Sequence, residues 1–246
     1  MNPTSPARRI QRVRHELKRR DVEVAQVERI GPNFARITFR GEDLADFVSL
    51  SFDDHVKFMV PAAGGEPARR DYTPRRYDRA ARTLAIEFAL HGHGAASDWA
   101  RQAEVGQRVA IGGPRGSMII PADYDFHLLV GDATALPAIH NRIEELPAGS
   151  RVIAVIHVDD DGDRRTLAGR ADVDVHWVRS DEELLATVRA LPLPAGTGFG
   201  WGGGESSTMR PLRELLIAGK GLAAEDVRVA AYWKRGAADF HERIEG

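Results

Sequence analysis

The stretch FHLLVGDATALPAIHNRIEEL, residues 126–146, decides the fold class of the second half of the chain. It opens with a continuous apolar run, which is typical of a strand buried on both faces. Residues 134–146 then follow a helical pattern, in which Thr134 can cap the helix and Pro137 can occupy its first turn. A buried strand that runs directly into a helix indicates one strand–helix unit of an α/β domain.

The alternation of strand and helix continues to the end of the chain. Further buried strands are predicted by RVIAVIHV (151–158) and DVDVHWV (172–178), and further strands by GFGWGGG (198–204) and DVRVAAYW (226–233). Helical patterns lie between them in DEELLATVRAL (181–191) and SSTMRPLRELLIAG (206–219). We therefore predict a nucleotide-binding α/β domain over residues 123–246, with a parallel sheet and helices on both of its faces.

The first half of the chain has a period of two instead. HVKFMVP (55–61) and TLAIEFALHG (83–92) alternate in the manner of half-buried antiparallel strands, and the second of these places Glu87 opposite the apolar face. EVAQVERI (23–30) and FARITFRG (34–41) flank a Gly31-Pro32-Asn33 turn, which predicts a hairpin, and RVAIGGPRG (108–116) adds a strand. These strands predict a small antiparallel β-barrel domain over residues 1–122.

Residues 5–20 precede the strands and show a helical period. Ile10, Val13 and Leu17 are spaced three and four residues apart, with many arginines on the opposite side. This spacing predicts a surface helix at the start of the first domain.

Composition excludes several classes of protein. The 246 residues are 43% apolar, which is enough for one large or two small cores. Because 34 Lys and Arg face 36 Asp and Glu, the net charge of -2 argues against a nucleic-acid partner. No run of about eighteen apolar residues is present, so we expect no stable membrane insertion. The absence of cysteine removes thiolate chemistry and suits a reducing cytoplasm, where we expect a monomer.

Other motifs do not support a competing function. GFGWGG, residues 198–203, matches G-x-G-x-x-G, but its glycines lie within a predicted strand, so we reject it as a dinucleotide fingerprint. We expect these glycines to allow a close approach to the backbone at the carboxyl edge of the sheet. His91 and His93 have no third ligand at a convincing spacing, so no metal site is predicted. The nucleophile elbow of hydrolases and the phosphate loop of ATPases are both missing.

The stretch RRDYTPRRYD, residues 69–78, would by composition alone be a solvated surface. In a barrel followed by an α/β domain, it resembles the R-x-Y-[ST]-x-R motif of the ferredoxin reductase-like flavoenzymes. The resemblance implies that Arg75 pairs with the diphosphate of FAD, Tyr72 stacks on the isoalloxazine and Thr73 lies near flavin N5. HGHGAASDWA, residues 91–100, resembles the second phosphate-binding segment of these enzymes. The residues implied to bind FAD are Arg70, Tyr72, Thr73, Arg75, Leu90, His91, Gly94, Ala95, Ala96, Ser97 and Trp233.

Within that superfamily the chain most resembles the siderophore-interacting proteins, which are FAD-dependent ferric-siderophore reductases. DDHVKFMVP, RDYTPRRYD, HGHGAASDWA, GPRGS, GDATALPAI, WGGGES and the closing YWKRG occur in the order of that family. The resemblance implies that electrons pass from NAD(P)H, or from reduced ferredoxin, through FAD to the iron(III) of a siderophore. It implies no catalytic acid or base and no resident metal.

The remaining sites follow from the same resemblance. The implied NAD(P)H contacts lie after the predicted strands, at Gly131, Asp132, Thr134, Ala135, Pro137, Gly204 and Glu205. Cations for an anionic iron(III) chelate are implied at Lys57, Lys234 and Arg235, for which the alternative is an ordinary solvated surface.

Two choices stay open at this point. Rival functions are an NAD(P)H:flavin or ferredoxin oxidoreductase on the same scaffold and a flavoprotein that binds siderophores without catalysis. NADPH and NADH are also undecided as donors. Three aspartates at residues 159–161 would repel a 2′-phosphate, whereas Arg164 and Arg165 would attract one.

Overall fold

The computed structural model describes residues 10–60, 67–90, 92, 94–237 and 242–244, with the backbone alone for residues 242 and 243. In the first half these residues form strands β1 (Gln11–Arg14), β2 (Arg19–Gly31), β3 (Phe34–Arg40), β4 (Val56–Val60), β5 (Ala68–Tyr72), β6 (Pro74–Asp78), β7 (Thr83–Ala89), β8 (Arg108–Gly112) and β9 (Gly116–Ile119), with helix α1 (Ala95–Arg101). In the second half they form β10 (Phe126–Gly131), α2 (Leu136–Glu145), β11 (Arg151–His157), β12 (Asp172–Val178), α3 (Asp181–Ala190), β13 (Gly198–Glu205), α4 (Ser206–Glu214), β14 (Val227–Trp233) and β15 (Glu242–Arg243).

The strands of the first half enclose the predicted barrel-like core. Over the described ranges, seven of them form one antiparallel sheet in the order β5-β4-β8-β2-β3-β7-β6. The predicted hairpin is confirmed, because β2 and β3 pair on either side of Pro32. The sheet curves until β5 also contacts β7. Its interior holds Phe39, Phe58 and Phe88, and Trp99 of α1 closes it with its ring centroid 4.7 Å from that of Phe58.

The surface helix predicted over residues 5–20 is wrong for the part that the structure describes. β1 instead pairs antiparallel with β9 as a two-stranded ribbon, and β2 already begins at Arg19. Leu17, which the helical spacing places on the apolar face, is 67% exposed. A single helix as short as residues 5–20 has little stability of its own. The hydrogen bonds between β1 and β9 therefore decide the conformation of residues 11–14.

β7 is buried on both faces, which corrects the expectation of a half-buried strand. One face lines the barrel core, and the second domain covers the other, so Glu87 is only 2% exposed. The period of two was present, but it could not show that a second domain would cover the polar face.

The second half contains the predicted parallel sheet. Its strands lie in the order β12-β11-β10-β13-β14, all parallel, and β15 adds an antiparallel strand at the edge of the described sheet. α2 packs on one face, through Leu136, Ile139 and Ile143, and α3 and α4 pack on the other, through Leu184 and Leu212. The prediction of helices on both faces is therefore confirmed.

Within this sheet, β12 is less buried than its sequence predicted, whereas β13 agrees with its sequence. β12 was predicted to be buried on both faces, but it lies at the sheet edge, and Asp172 and Asp174 are exposed. GFGWGG lies inside β13, in agreement with its rejection as a dinucleotide fingerprint. A Cβ added at Gly203 would lie 2.9 Å from Trp201 and 3.2 Å from both Ala135 and Tyr232, so this glycine makes room for side chains of the chain itself.

An apolar core shared by the two domains fixes the barrel against the α/β sheet. Phe34 and Phe52 of the first half pack in one cluster with Leu136 and Trp201 of the second. The rings of Phe52 and Trp201 meet edge to face, with 5.5 Å between their centroids. Within the described residues, no helix has both the length and the apolar character needed to cross a membrane.

Candidate functional site

The segment that resembles an FAD-binding motif lies at the end of β5. Arg70 and Tyr72 are two residues apart and lie on one face of β5, where they are the cross-strand partners of Phe58 and Val56 of β4. The half-buried ring of Tyr72 lies 4.3 Å from that of Phe88, measured between centroids. Burial raises the pKa of the Tyr72 hydroxyl, so it stays protonated. Tyr72 therefore continues the aromatic core to the surface and presents a neutral ring there.

Arg75 lies at the domain interface, where its side chain is 1% exposed. Its two terminal nitrogens donate to the carboxylate of Glu144 on α2 over 2.7 and 2.9 Å, and one of them also donates to Asn141 over 3.1 Å. Its Nε lies 3.6 Å from Glu87. These partners engage the guanidinium that the resemblance assigns to a diphosphate. Arg70 is the arginine of the motif that stays half-exposed beside Tyr72.

Arg75 belongs to a buried ionic cluster that joins the two domains. Glu87 accepts hydrogen bonds from Arg36 over 2.7 Å and from Arg165 over 2.8 Å, and the Arg165 guanidinium also lies 4.4 Å from the ring centroid of Phe34. Arg165, one of the two arginines expected to attract a 2′-phosphate, is thus turned into the domain interface. Burial, with Arg75 nearby, lowers the pKa of His140 in this cluster to about 4.

The second segment assigned to FAD lies at the start of α1. Gly94 is the extended N-cap residue of that helix, and the hydroxyl of Ser97 donates back to its carbonyl over 3.0 Å. The first amides of a helix have no partner within it, so those that follow Gly94 suit an anion. Ala96 and Ser97 are buried, Ala95 is exposed, and α1 contacts β5. Leu90 is buried as well, and His91 and His93 lie outside the described residues.

The residues assigned to NAD(P)H meet where β10, β13 and β14 end. A Cβ on Gly131 would lie 2.6 Å from the carbonyl oxygen of Gly203, so only glycine fits between β10 and its neighbour. Pro137 occupies the first turn of α2 as predicted, but Thr134 does not cap the helix. Its amide and hydroxyl both donate to Asp132, and Ala135 is the N-cap residue.

The basic residues assigned to the chelate lie in two places. Lys57 projects from the outer face of β4, as predicted, and forms an ion pair of 2.8 Å with Asp71. Lys234 and Arg235 are exposed and directly follow β14. Tyr232, the last residue but one of the same strand, has its pKa raised by burial and by nearby acids that include Asp53 and Asp71.

Sequence reasoning missed a histidine at the same edge. His157 ends β11, and its Nδ1 lies 2.9 Å from the carboxylate of Asp181 at the start of α3. The contact with Asp181 raises the pKa of His157 and lowers that of Asp181. The signal was present, because polar residues that end parallel strands meet at one edge of a sheet. Among the described residues, no group of three or more His, Asp or Glu could hold a metal ion.

Comparison with known proteins gives matches over both domains. A model for the siderophore-interacting FAD-binding domain matches residues 23–69 and 62–118, and a model for the siderophore-interacting protein matches residues 124–236. The NADPH-dependent ferric-chelate reductase of Escherichia coli is 36% identical over 91% of this chain and 96% of its own length. The ferric vibriobactin reductase ViuB of Vibrio cholerae is 28% identical over 87% of this chain and 89% of its own length.

Solved structures agree with these matches. The crystal structure of a siderophore utilization protein from T. fusca superposes with a TM-score of 0.87 and 33% identity, covering 94% of this chain and 98% of that one. An FAD-containing flavohemoglobin from Malassezia yamatoensis, 14% identical, superposes with a TM-score of 0.66 over 91% of this chain and 62% of its own, and shares the fold alone. With both domains matched and a relative above 30% identity over nearly its whole length, the chain belongs to the siderophore-interacting protein family.

Proposed function

We propose that this protein is an FAD-dependent ferric-siderophore reductase that takes electrons from NADPH or NADH. The observation that carries the proposal is the whole-length similarity to the Escherichia coli NADPH-dependent ferric-chelate reductase, which spans the barrel and the α/β domain together. Bound FAD supplies the chemistry, because it accepts an electron pair from a nicotinamide and can deliver electrons singly to iron(III). The residues of the chain bind and orient the reactants.

The residues at the end of β5 and the start of α1 fit FAD. The guanidinium of Arg70 and the amides that follow Gly94 are a donor set of the kind that diphosphates require. The half-exposed ring of Tyr72 suits one face of the isoalloxazine, and we propose that Thr73, which lies between β5 and β6, approaches N5. Trp233 has its indole N–H bonded to Asp132, so its contribution is limited to the face of its ring. We propose that the diphosphate contact belongs to Arg70 instead of Arg75.

For the donor we propose NADPH in preference to NADH. The Escherichia coli relative carries NADPH dependence in its name. In this chain Arg164 and Arg179 both lie against Asp161, at 2.7 and 2.6 Å, so two exposed guanidiniums offset the negative charge of that aspartate. A 2′-phosphate can compete with Asp161 for them. Ferredoxin is a second donor to test.

For the substrate we propose an anionic iron(III) chelate that is held by Lys234, Arg235 and Lys57. Iron(III) chelates of catecholates carry a net negative charge, and the first two residues place two exposed cations beside the ends of the parallel strands. Asp71 offsets part of the charge of Lys57, so we expect Lys57 to contribute less than the other two.

The direct test is anaerobic stopped-flow spectroscopy of the protein loaded with FAD. We expect NADPH to bleach the flavin absorbance and a ferric siderophore to restore it, with about two Fe(II) trapped by ferrozine for each flavin reoxidised, because the reduced flavin holds an electron pair and each iron(III) accepts one electron. Reoxidation by free flavin or ferredoxin but not by ferric chelates would identify an oxidoreductase of the rival kind. A yellow protein that binds the chelate without reoxidation would be a carrier. Either result would overturn the proposal.

We also propose that the protein is cytoplasmic, since the chain lacks cysteine and so gains nothing from an oxidising compartment. For its oligomeric state we propose a monomer. Light scattering of the FAD-loaded protein would test the monomer.

A further inference from the structure

Hydrogen bonds from other residues of the chain occupy both carboxylate oxygens of Asp132. Asp132 is 7% exposed. Its Oδ1 accepts hydrogen bonds from the amide and the hydroxyl of Thr134, over 2.8 and 2.5 Å, and its Oδ2 accepts from the amide of Glu205 over 2.9 Å and from the indole of Trp233 over 2.8 Å. A carboxylate offers about four acceptor sites, so none is left for a nucleotide.

Glu205 is used in the same way at the end of β13. It is 4% exposed, and its Oε1 accepts from the backbone amide of Arg235 over 3.1 Å, while its Oε2 accepts from the amide and hydroxyl of Ser207. Burial opposes ionisation of this carboxyl, but these hydrogen bonds outweigh it and lower its pKa, so Glu205 is charged at neutral pH.

The backbone is shaped to allow this arrangement. Gly204 has φ of +153°, and a Cβ there would lie 2.6 Å from Oδ2 of Asp132. A side chain at position 204 would therefore push Asp132 away from Trp233. The glycine makes room for the acid, and the acid fixes the tryptophan.

Together the two acids hold one short segment at both of its ends. Asp132 fixes Trp233 by its indole, and Glu205 fixes Arg235 by its backbone amide. Lys234 lies between these two fixed points. The segment that carries two of the proposed chelate cations is thus tied to the ends of β10 and β13.

We propose that Asp132 and Glu205 are positioning residues, which hold Lys234 and Arg235 at the ferric chelate and do not contact the nicotinamide nucleotide. The inference rests on the proposed reductase function and replaces the nucleotide role that the sequence assigned to these two acids. It leaves the proposed contact with the donor to the glycines at the ends of β10 and β13, because the amides around the two acids already bond to the chain.

The test compares the Asp132→Asn, Glu205→Gln and Glu205→Ala variants with the wild type in two half-reactions. The first is reduction of the bound flavin by NADPH, and the second is its reoxidation by an anionic ferric tris-catecholate or by a neutral ferric tris-hydroxamate. We expect the KM for the anionic chelate to rise about tenfold in the variants, with little change in kcat, in the neutral chelate or in the NADPH step. An unchanged chelate step with weaker NADPH binding would overturn the inference.

A structural readout accompanies the kinetics. The indole N–H of Trp233, assigned in NMR spectra by its loss in Trp233→Phe, should exchange with solvent faster in Asp132→Asn than in the wild type. Asp226→Asn is the matched control, because Asp226 accepts a hydrogen bond from Tyr124 over 2.6 Å away from this edge and should change neither measurement. Unaltered exchange in Asp132→Asn would contradict the anchoring role.

Failure of the inference and failure of the function give different results. If the wild type reduces no ferric chelate, the proposed function itself fails, and no variant is needed to see it. If the wild type is active but the variants lose only NADPH affinity, the function stands and the positioning role is wrong. Should Asp132→Asn not fold, as judged by thermal unfolding, the two Glu205 variants provide the same comparison.

Discussion

At the scale of single residues, Arg70 and Arg75 show how two similar side chains acquire different roles. Both lie in one motif, but Arg75 is enclosed by Glu144, Asn141 and Glu87, whereas Arg70 stays half-exposed beside Tyr72. The motif alone could not separate them, because the partners of Arg75 lie far away along the chain, in α2 and β7.

We predict that Arg70→Ala weakens FAD binding about 10- to 100-fold, since it removes a charge-assisted hydrogen bond to the diphosphate. Fluorescence titration of the apoprotein with FAD would measure this. Arg69→Ala is the control, because Arg69 is an exposed neighbour on the other face of β5 and should leave the affinity unchanged. Retention of FAD by Arg70→Ala, with its loss from a folded Arg75→Ala, would restore the original assignment.

A second prediction at this scale concerns acid. The pKa of His140 is lowered to about 4 in the folded protein. Between that value and its ordinary pKa, the imidazole is therefore protonated in the unfolded chain but neutral in the native state. Stability contributed by neutral His140 is therefore present above about pH 6.5 and is lost as the pH falls toward 4. His140→Gln should flatten that part of the curve of unfolding free energy against pH, measured in urea. Equal slopes in the variant and the wild type would contradict it.

At the scale of elements, the ends of β10 and β13 depend on close packing of backbone. A Cβ on Gly131 would meet both the Ala135 side chain and the Gly203 carbonyl, so we predict that Gly131→Ala costs about 1–3 kcal/mol of unfolding free energy. It should also weaken NADPH binding. Gly112→Ala is the control, because a Cβ there would make only ordinary contacts with Met59 and Lys57. Urea denaturation of both variants provides the comparison, and equal stabilities would count against the packing argument.

The elements also show what the sequence could predict. Five of the seven strands of the barrel sheet, the hairpin at Pro32 and the parallel strands followed from local patterns of hydrophobicity, which depend on each segment alone, whereas β5 and β6 were not predicted. The failures at residues 11–14, at β12 and at Glu87 share another cause. In each case a neighbour that is distant in the chain decides the outcome: β9 pairs with β1, the sheet ends at β12, and Arg165 covers Glu87.

The residues of the candidate site also divide into those whose position a local motif predicts and those whose contacts depend on distant parts of the chain. Gly131 ends a parallel strand, and Lys234 and Arg235 directly follow another, as the sequence predicted, because a motif describes a local chain path. Asp132, Glu205 and Arg75 were assigned to ligands, but other parts of the protein engage them. One sequence shows that an acid or arginine is present at an edge, but not whether the chain itself will use its hydrogen bonds.

At the scale of the whole molecule, the buried ionic cluster should contribute strongly to stability. Glu87 is the central acid, with Arg36 and Arg165 bonded to it and Arg75 close by. Replacing one partner of a buried pair leaves charge uncompensated, so Glu87→Gln should cost about 3–5 kcal/mol. Glu42→Gln is the matched control, since its pair with Arg82 is exposed and should be worth about 0–1 kcal/mol. Similar losses in both variants, measured by urea denaturation, would contradict a special role for the cluster.

The charge distribution gives a further prediction for the whole molecule. If Lys234 and Arg235 attract an anionic chelate, the rate constant for reoxidation of the flavin should fall as salt rises from 0.05 to about 0.5 M, because screening shortens the range of attraction. Lys234→Ala should reduce both the rate constant and its dependence on salt. Lys18→Ala, in which a barrel lysine paired with Asp46 is lost, should behave as the wild type. A salt dependence that persists in Lys234→Ala would assign the attraction to other residues.

The apolar cluster that Phe34 and Phe52 share with Leu136 and Trp201 means that neither half of this chain is a self-sufficient module. A gene divided between residues 122 and 123 would produce two fragments, each with an apolar surface newly exposed to water. We expect both fragments to precipitate when each is made alone. Made in the same cell, they should find each other and rebuild the intact molecule. Fusing the barrel to another electron carrier would therefore also require a new apolar partner to cover Phe34 and Phe52.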